Sequence, residues 1–112
     1  MSNFYEQLAY NLEFGNPLNW DTLSSMADFD FSRLYSAFDK LNIEDLKVVL
    51  TRIRSEITST IPIRSKEVLI SLEGHLKHRR KALKLEQLEE TIMTKFNQLY
   101  QSKLTQINFI YG

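Results

Sequence analysis

The sequence predicts an all-α protein, and three observations carry that expectation. Only three glycines and two prolines interrupt 112 residues, so few positions favour a turn. Apolar residues recur at helical spacing over long stretches, most clearly from Ile43 to Ile61. The strict alternation of a half-buried strand is sustained nowhere. The expected architecture is about five helices in a small bundle, with residues 1–112 forming a single helical domain. A long C-terminal helix, about 66–104, is expected to be kinked or to project from the core.

The first helix should span about residues 3–14. Ser2 or Asn3 can cap it, Phe4, Leu8 and Leu12 share a face, and Gly15 closes it before Asn16-Pro17. A short helix should start near Asn19 and carry Trp20, Leu23 and Met26. A third, about 30–41, sets Phe31, Leu34, Tyr35, Phe38 and Leu41 on one stripe. The fourth opens on Asn42, a good cap, with Asp45 three residues on. Its apolar stripe runs through Ile43, Leu46, Val49, Leu50, Ile53, Ile57 and Ile61, and Pro62 disfavours helix at the residue before it. Ser65 is the expected cap of the last helix, whose one internal breaker is Gly74.

The stripe on that last helix changes sides. Leu69, Leu72, Leu76 and Leu83 fall on one face, and Leu85, Leu88, Ile92, Phe96 and Leu99 on another, a shift of about 170° at 100° per residue. Leu83 and Leu85 should therefore meet different neighbours, one of which can be a second copy of the chain. Nine of the thirteen aromatics lie in residues 1–38, and the other four are Phe96, Tyr100, Phe109 and Tyr111. The two ends are therefore expected to pack on each other, with Ile53 and Phe96 fully buried.

Charge is the most uneven property of the chain. It is neutral in sum, yet residues 1–45 carry a net −6 and residues 46–84 a net +7. Five bases crowd into eight residues, Lys77, Arg79, Arg80, Lys81 and Lys84, with His75 and His78 among them. Lys77/Lys81 and Arg80/Lys84 are like-charge pairs at i,i+4, which repel unless an anion lies near. Arg52, Arg54 and Arg64 can extend this surface. No aromatic is interleaved, so a nucleic acid would be met at its phosphates and not by base stacking. The same bases would also serve as a solvated face, with Glu73 pairing Lys77, or meet an acidic protein.

Other chemistry lacks a pattern to support it. There is no cysteine, no HExxH motif, and the bases around His75 and His78 would repel a cation, so no metal or cofactor is expected. No nucleophile–base signature or glycine loop points to catalysis. Glu86, Glu89 and Glu90 read as a solvated face. Ala27-Asp-Phe-Asp-Phe31 reads as helix-start acids and core rings. No small-molecule substrate is evident, and no apolar stretch approaches the ~18 residues of a membrane span. The N-terminus lacks the pattern of a signal peptide, which with the missing cysteine points to a soluble cytoplasmic protein.

The functional expectation is a non-catalytic helical interaction module. The leading form is a small subunit or regulator in a nucleoprotein assembly, its basic helix face laid along phosphates. The rival is a protein-only regulator, an inhibitor or adaptor, with opposed acidic and basic surfaces. A protein partner or self-association goes with either.

Overall fold

The structure, a computed structural model, describes residues 4–26 and 28–111, and the side chains among these as far as Thr105. The described residues form five α-helices and no strand: α1 (Phe4–Phe14), α2 (Trp20–Ser25), α3 (Phe31–Ser36), α4 (Ile43–Ile57) and α5 (Ile63–Tyr111). The all-α class and the long C-terminal helix stand as expected. Ser2, Asn3 and the side chains of Phe109 and Tyr111 lie outside the described residues.

Local chemistry places the boundaries. Gly15 takes φ 72°, the left-handed conformation that a Cβ disfavours, and the Asn16 N–H then donates back to the Asn11 carbonyl at 3.0 Å, ending α1. Asn19, Asp30 and Asn42 cap α2, α3 and α4. Their side chains accept from the N–H groups of Thr22 (3.1 Å), Arg33 (3.2 Å) and Asp45 (2.8 Å). α3 is shorter than the expected 30–41, because beyond Ser36 the bonding tightens to three-residue turns at Phe38, Asp39 and Leu41.

Ser65 is not a cap. α5 begins two residues earlier, where the Lys66 N–H donates to the Pro62 carbonyl at 3.1 Å. Pro62 has no N–H to satisfy, so it suits a helix start. Ser65 is instead buried, its hydroxyl 3.0 Å from that of Ser24 and donating to the Trp20 carbonyl at 3.4 Å. A small polar side chain there fastens α5 to α2. α5 then runs through 80–86 without a turn.

The contacts divide the chain into two compact units, residues 1–81 and residues 82–112. In the first, α1 packs on α3 and α4. Its core is Tyr5, Leu8 and Leu12 from α1, Leu23 from α2, Leu34 and Phe38 at α3, Leu46, Val49, Leu50 and Ile53 from α4, and Val68, Leu69, Leu72 and Leu76 from α5. Ile53 is fully buried, as the α4 stripe requires. Tyr5 also hydrogen-bonds, its hydroxyl accepting from the Asp30 N–H at 2.8 Å, while its ring meets Phe29 edge-on at 5.3 Å.

The second unit is the remainder of α5 alone. Phe96 is 60% exposed and Tyr100 54%, which corrects the expectation that Phe96 is buried and that aromatics from both ends share a core. The physical reason is that Leu69, Leu72 and Leu76, on the first part of α5, already supply the buried residues this helix gives to the core of the first unit. Leu85, Leu88, Ile92, Met93 and Leu99 are exposed as well.

Candidate interaction surface

Of the eight bases grouped by the sequence, three arginines, Arg52, Arg64 and Arg79, bond backbone carbonyls within the first unit. Arg52, on α4, lies 2.8 Å from the Glu56 carboxylate one turn on, and its far nitrogen donates to the Asn16 carbonyl at 2.9 Å. Arg64 donates to the Met26 carbonyl. Arg79 donates to the Asp39 carbonyl at 2.6 Å. Each of these carbonyls sits just past the end of one N-terminal helix: Asn16 after α1, Met26 after α2, Asp39 after α3. Carbonyls in such connections lie outside the helical hydrogen-bond ladders, and a guanidinium is a good donor to supply them. The basic second half of the sequence thus closes the acidic first half, one arginine per connection.

Arg54 is exposed and 3.8 Å from Glu73, so Glu73 faces Arg54 and not Lys77, the pairing weighed above. Arg80 is half-buried, and its Nε, like that of Arg79, is buried without a partner. Lys77 and Lys81 are exposed with no ion-pair or hydrogen-bond partner among the described residues. Lys84, in the second unit, is likewise exposed and unpaired. The structure therefore does not lay Arg52, Arg64 and Arg79 out with the lysines as one free cationic track.

His75 is occupied too. Its ring stacks on Tyr35 with centroids 4.1 Å apart and planes 7° from parallel, and the Tyr35 hydroxyl is 2.8 Å from that of Ser71, one turn earlier on α5. Burial lowers the His75 pKa below its ordinary value, Asp39 opposes this, and Arg79 and His78 add to it. The ring is thus biased to its neutral form. No group of three or more metal-ligating side chains forms among the described residues. An open hollow of about 520 Å³ is lined by Pro17, Leu18, Asn19, Trp20, Asp21, Thr60 and Pro62, with Asp21 its one titratable group. No helix among the described residues is long and apolar enough to cross a membrane.

The carbonyl-capping arginines were not foreseeable from spacing, because each bond joins residues 36 to 40 apart. The only signal was the polarity itself, an acidic segment followed by a basic one. No family model, no curated protein and no solved structure matches the chain.

Proposed function

We propose that the protein is a non-catalytic helical interaction module, a cytoplasmic inhibitor or adaptor, that docks on an acidic protein surface through Lys77 and Lys81. The observation that carries this reading is the division of labour among the bases. Arg52, Arg64 and Arg79 are engaged with loop carbonyls, whereas Lys77 and Lys81 are exposed and without an ion-pair or hydrogen-bond partner among the described residues. Phosphate recognition draws its strength from free, fork-shaped guanidiniums. Lysines are point charges without that fork, and their less directional attraction suits a protein rim.

A small subunit or regulator of a nucleoprotein assembly is the second reading. It is favoured by the i,i+4 repulsion between Lys77 and Lys81, which a phosphate backbone would relieve. Charge reversal separates the two. The Lys77→Glu/Lys81→Glu protein should keep its fold, since exposed charges contribute under about 1 kcal/mol. If the protein reading holds, a partner co-purified from the native host survives nuclease treatment and is lost on reversal. If the phosphate reading holds, wild-type protein shifts nucleic acid of any sequence, with a log–log salt slope of about −0.7 per phosphate on single strands. Reversal then removes the shift.

A further inference from the structure

The second unit is one helix with an exposed apolar stripe, and its residues indicate what covers it. Leu85, Leu88, Ile92, Phe96 and Leu99 lie within an arc of about 80° at 100° per residue. Every one of them is more than half exposed. A lone helix gains little stability in water without a packed apolar face. Exposed stripes of this kind are association sites.

We infer that a second copy of the chain covers this stripe, with the two helices antiparallel about a two-fold axis at Ile92. The spacing of the stripe, three, four, four, three, reads the same in both directions from Ile92. Reversal therefore sets Leu85 opposite Leu99 of the partner copy, Leu88 opposite Phe96, and Ile92 opposite itself. That self-complementarity is what a two-fold interface demands.

Charge selects the same direction. Within the second unit, Lys84, Glu86, Glu89 and Glu90 precede Ile92 and sum to −2, while Lys95 and Lys103 follow it and sum to +2. Antiparallel copies lay the negative half of each over the positive half of the other. Parallel copies in register set like on like, with Lys95 beside Lys95 at the edge of the seam. Helices pack about 8–10 Å apart, close to the screening length of about 8 Å at physiological salt, so the difference is felt. The area suffices as well. With Met93 and Tyr100 flanking the five seam residues, two copies offer on the order of 1,000 Å² of apolar surface, the lower bound for a specific interface. This inference is independent of the lysine reading.

The chain has no cysteine, so single-cysteine variants report the geometry directly. Light scattering on the wild-type protein at micromolar to millimolar concentration should give a dimer. Under mild oxidation Ile92→Cys should cross-link with itself. Leu85→Cys alone should not, because its two copies lie roughly 21 Å apart along the seam at 1.5 Å per residue. A mixture of Leu85→Cys and Leu99→Cys proteins should cross-link to each other. Ile92→Glu should return a monomer whose Trp20 fluorescence is unchanged. A wild-type monomer throughout the range overturns the inference and assigns the stripe to a different protein. Self cross-linking at both Leu85→Cys and Leu99→Cys overturns it in favour of parallel pairing. A trimer or larger species overturns it as well.

Discussion

At the scale of single residues, the arginines have the most testable role. Arg52 serves two acceptors in a half-buried setting, whereas Arg54 faces a distant carboxylate in solvent. Arg52→Met should cost about 1.5–3 kcal/mol, the range for hydrogen bonds from charged groups. Arg54→Met should stay within about 0.5 kcal/mol, as exposed substitutions do. Urea denaturation of both variants makes the comparison, and equal costs would remove the capping role of Arg52. Gly74 gives the opposite sign. It lies inside α5, and a Cβ there would meet nothing within 4 Å. Gly74→Ala should therefore stabilise by up to about 1 kcal/mol, visible as a higher thermal midpoint.

Two titratable groups make stability depend on pH in opposite senses. The His75 pKa is depressed in the fold, so the unfolded chain takes up its proton first as pH falls. Stability attributable to His75 is complete above the ordinary value near 6.5 and declines below it. His75→Phe should flatten the stability profile between pH 7 and 5, measured by denaturation at each pH. Glu13 is raised by burial and by the nearby Asp45 carboxylate, so the folded chain holds its proton longer. Its contribution is most favourable below the unfolded value near 4.5 and is lost as pH rises through the folded one. Glu13→Gln should accordingly stabilise at pH 7 and do nothing at pH 3.

At the scale of elements, α4 shows what periodicity can deliver. Its cap, the buried part of its stripe (Leu46, Val49, Leu50, Ile53) and its stop before Pro62 were legible as local matters of spacing and backbone chemistry. Ile61, counted into the stripe, lies past the helix end at Ile57. Ile53→Ala should cost about 2–5 kcal/mol, since the side chain is wholly enclosed. Val48→Ala, on the exposed face of the same helix, should cost far less. α5 shows the limit. Periodicity located the flip of its apolar face at Leu83–Leu85 but could not say which stripe is buried, because a wheel shows only that two faces exist. Composition misled further: aromatics at both ends suggested one shared core, yet Phe96 and Tyr100 are exposed. The eight bases looked like one surface because charge is read along the chain, while an arginine acts wherever its guanidinium reaches. Arg52, Arg64 and Arg79 reach back to carbonyls, while Lys77, Lys81 and Lys84 stay exposed.

At the scale of the whole molecule, two kinds of order are set side by side. The first unit draws its stability from a core shared by all five helices. The second, residues 82–112, has an apolar stripe whose described residues are exposed. The two should differ in amide protection, because local stability follows buried contacts. Hydrogen exchange on the full chain, followed over a dilution series, tests this most directly. Amides in the interiors of α1 and α4 and at residues 68–76 should exchange slowly at every concentration. Those at residues 85–99 should exchange fast when dilute and become protected as concentration rises. Slow, concentration-independent exchange at 85–99, matching that of α4, would contradict an exposed stripe and place those residues in a permanent core.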